Sequence, residues 1–276
     1  MIDCKKLANE VKEVCKKKLA GITEPYYLKI IQVEGDAASD AYTKGKKQDC
    51  VEIGLQYRHV IIPKNCDMLD VSLEISKGNH DAHCIGIILQ LPLPEHLREY
   101  QELFTKLIKE EKDVDGFRPD SSFYPCTPLG INHILHSVTN HNISGLHCVI
   151  VGRGKLVGYP TFELLNEENA TVTLCNSRTP KEKLKELCLS ADVVIAATGV
   201  PNLITKDMVK PTTIVIDAGI NRDENGKMCG DCSRELYDYV ENITTVPGGV
   251  GLMTRAALMR NCVMAIEEKE LPDVDN

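Results

Sequence analysis

The chain has 276 residues, of which 43% are hydrophobic and 26% are charged, and its formal net charge is −8. These values are typical of a globular protein with one large or two ordinary domains, and the negative charge argues against a nucleic acid as the main partner. No apolar run reaches the ~20 residues that a membrane span needs, and residues 1–19 lack the hydrophobic region of a signal peptide. We therefore expect neither a membrane nor a nucleic-acid partner.

Twelve cysteines are present, and most lie beside apolar residues in predicted helices or strands, where a free thiol acts as a small hydrophobic side chain. This usage favours a reducing, cytoplasmic location. A single Cys229-x-x-Cys232 pair lacks the further ligands that structural zinc requires. We predict no metal site.

The first predicted helix spans residues 3–20. Leu7, Val11, Val14 and Leu19 recur at helical spacing, and lysines occupy the other side. This amphipathic pattern predicts that the apolar stripe faces a hydrophobic core.

Apolar segments then alternate with helical segments, which is typical of parallel strands joined by right-handed crossovers. The expected strands are 26–33, 57–63 and 85–94, and the expected helices run to Gly54 and over 95–110. The motif KDVDGF (112–117) is predicted to form a loop.

A second strand–helix series begins after PCTP (125–128). Thr127 is expected to cap a helix that starts at Pro128, where proline is tolerated, and ends near His141. The following strands are expected at 147–152, 170–175, 191–199 and 212–219, with helices after Gly158 and from Pro180. This series is typical of a dinucleotide-binding sheet. Asn225-Gly226 predicts a tight hairpin turn.

The sequence therefore predicts an α/β protein of two domains with an active-site cleft between them. An N-terminal α/β catalytic domain would comprise residues 1–125 and be completed by a C-terminal helix, 253–276. A Rossmann-type dinucleotide-binding domain would comprise residues 126–252.

Tyr42 and Lys46 lie four residues apart on a predicted helix and therefore project from one face, together with Ser39. A phenol and an ammonium group side by side can hold an aromatic substrate and move a proton. Gly45 inside the helix costs ~1 kcal/mol relative to alanine, which often indicates a packing or functional reason. Gln90 ends a predicted parallel strand, where open sheets place their ligands, and could bind Lys46. A solvated helical lysine is the alternative.

Three glycines follow an apolar strand and precede a helix in the pattern G-x-G-x-x-x-G: Gly152, Gly154 and Gly158. Glycines permit a tight turn and close backbone approach, and a helix N-terminus attracts phosphate. The pattern predicts a dinucleotide site, and a glycine-rich turn without a ligand is the alternative.

The end of the next strand indicates which dinucleotide binds. NAD enzymes usually offer an acid there to the ribose 2′-hydroxyl group, whereas this chain offers Ser177 and Arg178, with Arg153 in the glycine loop. These residues favour NADP, and solvated surface groups are the alternative.

Eight segments in register resemble the bifunctional methylenetetrahydrofolate dehydrogenase/methenyltetrahydrofolate cyclohydrolase family. They are AYTKGKKQDCVEIG, GIILQLPLP, KDVDGF, PCTP, VGRGKLVGYP, ATVTLCNSRT, VIDAGINR and PGGVGLMT. The resemblance covers nearly the whole chain.

The resemblance implies a role for each candidate residue. Tyr42 would stack on the folate, Asp115 would hydrogen-bond the pterin, and Lys46 with Gln90 would form the catalytic centre, with Ser39 beside the substrate. The NADP site would comprise Gly152, Arg153, Gly154, Ser177, Arg178 and Ile220. The family also implies tetrahydrofolate derivatives as substrates, a homodimer, and a place in one-carbon metabolism and purine biosynthesis.

The implied reaction oxidises 5,10-methylenetetrahydrofolate with NADP and then hydrolyses the methenyl product to 10-formyltetrahydrofolate. The chain departs from the common family pattern at Gly154, Asn176, Thr245 and Leu252, all in the cofactor half. Two alternatives are an NADP-dependent dehydrogenase of another small cyclic substrate and a non-catalytic folate- or nucleotide-binding protein.

Overall fold

The computed structural model describes residues 1–35 and 37–270. Their contacts divide the chain into two compact units. The glycine-loop unit comprises Met1–Asn9 and Thr127–Thr254, and the Lys46 unit comprises Glu10–Cys126 and the chain from Arg255 onward. Residues 271–276 of the predicted C-terminal helix lie outside the described residues.

Eight α-helices and nine strands follow one another in the described chain. The helices are α1 Cys4–Leu19, α2 Ala37–Ile53, α3 Met68–His80, α4 Gln101–Leu107, α5 Cys126–Val138, α6 Gly158–Glu167, α7 Lys181–Ser190 and α8 Val250–Glu270. The strands are β1 Tyr27–Val33, β2 Gln56–Ile62, β3 Cys84–Leu89, β4 His147–Val151, β5 Thr171–Cys175, β6 Val193–Ala196, β7 Ile214–Asp217, β8 Asn221–Arg222 and β9 Met228–Cys229. No described helix is long and apolar enough to cross a membrane.

The Lys46 unit contains a parallel sheet of three strands in the order β2-β1-β3. The central strand β1 and its neighbour β3 are buried along their whole length, whereas β2 lies at an edge and is mostly accessible. Full burial explains why these strands are mostly apolar, since parallel strands are covered on both faces. The two polar residues of β1 are buried with partners: Lys29 binds Glu74, and Gln32 binds Thr43 and Asp40. The three predicted strands are confirmed.

The glycine-loop unit contains a parallel sheet of four strands in the order β5-β4-β6-β7. Counted from β4 as the first strand, this is the order 2-1-3-4, which is found in doubly wound sheets that bind nucleotides where the strand order reverses. The hairpin β8–β9 is antiparallel, and its turn contains Gly226 with a φ of 73°. The predicted strand–helix series and hairpin are confirmed.

The predicted buried face of α1 is confirmed in part, since Leu7, Val11 and Leu19 are half-buried, but it needs correction at Val14 and Lys12. Val14 is 54% exposed, whereas Ala8, Lys12 and Cys15 are buried. Lys12 can lie on the buried side because its ammonium group binds the carboxylates of Asp49, at 3.4 Å, and Glu52, at 2.6 Å. Periodicity alone does not reveal an ion-pair partner that lies 37 residues away.

Two predicted helix boundaries also need correction. Thr127 does not cap α5, because the helix begins at Cys126; the Thr127 hydroxyl oxygen lies 3.1 Å from that of Thr254. The segment predicted as one helix over 95–110 contains a 3₁₀ turn, Glu95–Tyr100, followed by the short α4.

The cysteines behave as the composition predicts. All twelve are free thiols, and eleven are buried, with Cys229 half-buried. Burial raises the pKa of Cys50, Cys148 and Cys188 to about 12. These thiols are therefore packing groups, since a protonated buried thiol is a poor nucleophile.

Lys112 holds the C-terminal end of α3. Its ammonium group, in a residue only 4% exposed, donates to the carbonyl oxygens of Gly78, Asn79 and Asp81 at 2.8, 3.0 and 2.8 Å. The last carbonyl groups of a helix lack partners within the helix and favour a cation. Lys112 therefore fixes the start of the KDVDGF loop against α3.

We predict that Lys112→Met lowers the free energy of unfolding by about 2–4 kcal/mol, because one buried and two partly buried carbonyl groups lose their donor. The matched control is Lys109→Met. The Lys109 ammonium group is half-exposed and makes one long ion-pair contact, 3.8 Å from Glu111, so this change should lower the free energy of unfolding by less than about 0.5 kcal/mol. Urea unfolding followed by circular dichroism measures both. Equal effects of the two substitutions would contradict this role.

Candidate functional site

Two of the catalytic candidates of the Lys46 unit, Lys46 and Gln90, meet at the end of β3. The Nζ atom of Lys46 on α2 donates to Oε1 of Gln90 at 3.2 Å, and Gln90 is the residue that follows β3. The Gln90 amide nitrogen donates to the carbonyl oxygen of Leu91 at 2.7 Å. The amide therefore has a fixed orientation, with its oxygen toward the ammonium group, and the predicted Lys46–Gln90 contact is confirmed.

Helix α2 is tied to the end of β1 by a second amide. Oε1 of Gln32 accepts from the Thr43 hydroxyl group at 2.9 Å, and its Nε2 donates to Asp40 at 2.6 Å. Because Thr43 and Asp40 lie on α2, these bonds fix the rotation of the helix that carries Lys46.

Ser39 and Tyr42 lie on the same helix as Lys46. The Ser39 hydroxyl group donates to the carbonyl oxygen of Leu91 at 3.3 Å. Tyr42 is half-buried, and burial raises the pKa of its phenol, an effect that the Arg255 guanidinium group opposes. The phenol is therefore neutral near pH 7 and offers an aromatic face and a hydroxyl group.

Asp115 lies in the loop between Lys112 and α5. Its carbonyl oxygen accepts from the Cys126 backbone N–H at 3.3 Å. Burial raises the pKa of the Cys126 thiol, and the Asp115 carboxylate raises it further, while Lys46 acts in the opposite sense. Asp115 and Lys46 therefore both act electrostatically on one buried thiol. The sequence offered no signal that singled out Cys126.

Asp113 differs from its neighbour in the same loop. Although it lies in the predicted KDVDGF loop, Asp113 is only 2% exposed and accepts from the Arg118 backbone N–H at 2.8 Å. Burial raises its pKa to about 6. Asp113 therefore shapes the loop, and Asp115, which is half-buried, is the acid that can reach a ligand.

The reason for Gly45 lies in Arg255, which sequence reasoning missed. A Cβ atom at position 45 would overlap Nη1 of Arg255 and would lie 2.9 Å from its Cζ. The Arg255 guanidinium group is held there by Asp49, whose carboxylate oxygen lies 3.0 Å from its Nε atom. Gly45 therefore leaves room for a cation beside Tyr42, and the predicted packing reason is confirmed.

The glycine loop of the other unit is compact at two of its three glycines. Gly152 has a φ of 114°, and a Cβ atom there would overlap the carbonyl oxygen of Ala197. A Cβ atom at Gly158 would overlap the carbonyl oxygen of Gly152, whereas the space beside Gly154 is open. Within the described chain, no side chain caps the N-terminus of α6. Such a cradle fits a pyrophosphate group, which backbone N–H groups and the helix dipole attract.

The remaining cofactor candidates are accessible at the carboxyl edge of the same sheet. Arg153, Ser177 and Arg178 are exposed, and Ile220 is 54% exposed. The Arg178 backbone N–H donates to the Asn176 side chain at 2.9 Å, so the loop after β5 has a defined shape. The residues present, two arginines and a hydroxyl group, fit a phosphorylated ribose.

We predict that Gly45→Ala destabilises the wild-type chain but stabilises an Arg255→Ala chain. In a helix alanine is favoured over glycine by about 1 kcal/mol, and only the Arg255 side chain opposes this gain. The measurement is a double-mutant cycle of unfolding free energies over the four proteins. The same gain in both backgrounds would show that Arg255 does not explain Gly45.

Two family models together cover most of the chain. The catalytic domain of tetrahydrofolate dehydrogenase/cyclohydrolase matches residues 2–115, and the NAD(P)-binding domain of the same family matches residues 125–270. A curated relative from Bacillus cereus, bifunctional protein FolD, is 42% identical over 269 residues, which cover 94% of this chain and 92% of the relative.

Solved structures give the same result. The bifunctional FolD enzyme of Campylobacter jejuni has a TM-score of 0.89 at 36% identity and covers 97% of this chain and 98% of its own. The Trypanosoma brucei FolD structure, complexed with NADP cofactor and an inhibitor, has a TM-score of 0.90 at 27% identity and covers 99% and 98%. The chain therefore belongs to the tetrahydrofolate dehydrogenase/cyclohydrolase family.

Proposed function

We propose that the protein oxidises 5,10-methylenetetrahydrofolate with NADP and then hydrolyses the methenyl product to 10-formyltetrahydrofolate. The observation that carries this proposal is the Lys46–Gln90 hydrogen bond of 3.2 Å at the carboxyl end of β3, on a chain that matches both domains of the family. Open parallel sheets bind their ligands at this edge. The reaction belongs to one-carbon metabolism and supplies the formyl groups that purine biosynthesis consumes.

The Lys46 unit supplies the substrate contacts. The half-buried Tyr42 stacks against the folate, Asp115 accepts hydrogen bonds from the pterin, and Ser39 lines the same helix face. NADP, when bound, would supply the acceptor for the hydride that leaves the methylene carbon. Lys46 stays oriented by Gln90 through this step, because the Gln90 amide is itself fixed by Leu91.

Hydrolysis then takes place at the same carbon. A water oxygen bonds to the methenyl carbon and loses one proton to solvent. The resulting hydroxyl group loses its second proton as the carbon–oxygen double bond forms, while the bond from that carbon to N5 breaks and N5 takes up a proton, which leaves the formyl group on N10. The Lys46 ammonium group can orient the water and exchange the proton, a role that positioned side chains commonly fill.

The glycine-loop unit supplies the cofactor contacts. Gly152, Gly154 and the N-terminus of α6 cradle the pyrophosphate. Arg153, Ser177 and Arg178 bind the 2′-phosphate, since guanidinium groups bind phosphate through paired hydrogen bonds. Ile220 lines the same edge. The open space beside Gly154 supports this assignment, because no other atom of the described chain occupies the place where a phosphate group would lie.

The proposal also covers the domain boundaries and the setting. The catalytic domain comprises residues 1–125 and the C-terminal helix, and the cofactor domain comprises residues 126–252. The protein acts as a cytoplasmic homodimer on tetrahydrofolate derivatives, without a nucleic-acid partner. The formal net charge of −8 supports the absence of a nucleic-acid partner, because the phosphate backbone of a nucleic acid is also negative.

The direct test adds methylenetetrahydrofolate and NADP to the purified protein and follows NADPH and methenyl absorbance, with 10-formyltetrahydrofolate measured at the end. We expect all three signals, in that order. An NADP-dependent dehydrogenase of another cyclic substrate would give no signal with this folate, and a non-catalytic binding protein would bind both ligands without turnover.

We predict that Lys46→Met lowers the cyclohydrolase rate by about 10²–10⁴-fold, because a positioned proton-transfer group is lost. NADP binding should be unchanged. Lys44→Met is the matched control, since Lys44 is an exposed lysine on the same helix and should retain full activity. Near-normal hydrolysis of the methenyl compound by the Lys46 variant would remove this lysine from the mechanism.

We predict that Arg153→Ala combined with Ser177→Ala weakens NADP binding by about 10–100-fold, because charged and neutral hydrogen bonds to the 2′-phosphate are lost. NAD binding should change little. Calorimetric titration of both nucleotides measures the difference, and Lys183→Ala on the exposed side of α7 controls for the loss of a positive charge. Equal losses for NAD and NADP would contradict the assigned phosphate site.

A further inference from the structure

Asp231 is a fully buried acid that the proposed function does not yet use. It follows the hairpin strand β9, and its exposed fraction is 0%. One carboxylate oxygen accepts from the Thr198 backbone N–H at 2.6 Å, the Thr198 hydroxyl group at 2.8 Å and the Gly199 backbone N–H at 3.1 Å. The other accepts from the Asn221 side-chain amide at 2.8 Å. Both oxygens are therefore occupied by neutral donors.

The partners of Asp231 lie at the carboxyl edge of the four-stranded sheet. Thr198 and Gly199 follow β6, and Asn221 follows β7, next to Ile220. Ligands of open parallel sheets bind outside this edge. One carboxylate therefore joins the loop after β6 to the segment that carries the predicted cofactor residue Ile220.

A second buried acid fixes Asp231 itself. Asp217, the last residue of β7, accepts from the backbone N–H groups of Asp231 and Gly219, each at 3.0 Å, and of Cys232 at 2.9 Å. Asp217 is 1% exposed. Because backbone N–H groups have fixed positions, these bonds define where the Asp231 carboxylate lies.

Two glycines leave room for the acids. A Cβ atom at Gly219 would overlap Oδ1 of Asp231, and one at Gly230 would overlap Oδ2 of Asp217. The segment Cys229-Gly230-Asp231-Cys232, which resembles a metal-binding pair in its spacing, is therefore built around its central acid. Its cysteines are free thiols.

We propose that Asp231 is a positioning residue for hydride transfer, which holds the loops after β6 and β7 in the arrangement that receives the nicotinamide end of NADP. This inference rests on the proposed function. Asp231 acts through its hydrogen bonds to Thr198, Gly199 and Asn221 and need not touch the cofactor itself. Burying a carboxylate is costly unless hydrogen-bond donors satisfy it. Two buried acids that are satisfied by donors from these loops therefore require the loops to keep one conformation.

The two proposed activities provide an internal control, because cyclohydrolysis of added methenyltetrahydrofolate requires no hydride acceptor. We expect Asp231→Ala to weaken NADP binding about tenfold or more, since several hydrogen bonds that order the loops are lost. Dehydrogenase kcat should fall beyond the effect on KM, and cyclohydrolase activity should remain at the wild-type level. Asp231→Asn should recover part of the loss, because its amide oxygen can still accept from Thr198 and Gly199.

The test compares these variants with Asp238→Ala, an exposed acid in the 3₁₀ turn that follows, by calorimetric titration of NADP and by both assays. Asn221→Ala, which leaves the buried carboxylate in place, supplies the same comparison if Asp231→Ala fails to fold. Parallel loss of both activities, or unchanged NADP binding and dehydrogenase activity in the folded variants, would overturn the inference. Wild-type protein that binds NADP but lacks dehydrogenase activity would contradict the proposed function instead, and the binding comparison would still test Asp231.

Discussion

All strands of the two larger sheets run parallel, and this constraint determines where functional side chains can lie. Each parallel strand delivers its following loop to the same edge, so residues far apart in sequence meet there. In the Lys46 unit this edge receives Gln32 and Gln90, and in the glycine-loop unit it receives the glycine loop and the loops that Asp231 joins. The helices then complete each site: α2 brings Lys46 to Gln90, and the N-terminus of α6 faces the phosphate cradle.

Fixed donors and acceptors, rather than mobile charges, set the geometry at both edges. A hydrogen bond to the Leu91 carbonyl oxygen orients the Gln90 amide that binds Lys46. A hydrogen bond from its backbone N–H to Asp217 likewise positions Asp231, whose carboxylate binds the neighbouring loops. Such prior orientation lowers the cost of arranging groups at the moment of reaction. The same constraint explains why glycine occupies positions 45, 219 and 230, since a Cβ atom at each would overlap an oriented polar side chain.

Local pattern was sufficient for most elements, because apolar runs and turn residues act over a few positions. It predicted β1 to β7, the hairpin and the Lys46–Gln90 contact. Local pattern does not reveal interactions between residues that are distant in sequence. Lys12 is buried because Asp49 and Glu52 bind it, and Gly45 contacts Arg255, which lies 210 positions later. Asp231 gives no local signal for the same reason, since its hydrogen-bond partners follow other strands.

One carbon of the folate undergoes both steps on this chain, first hydride loss and then attack by water. An isotope experiment can follow this carbon, with 5,10-methylenetetrahydrofolate that carries two deuterium atoms on the methylene carbon, in ¹⁸O-labelled water, and mass spectrometry of both products. We expect one deuterium in the reduced nucleotide, one on the formyl carbon, and the label in the formyl oxygen. Reduced nucleotide without deuterium, or a formyl group without the oxygen label, would contradict this order of steps.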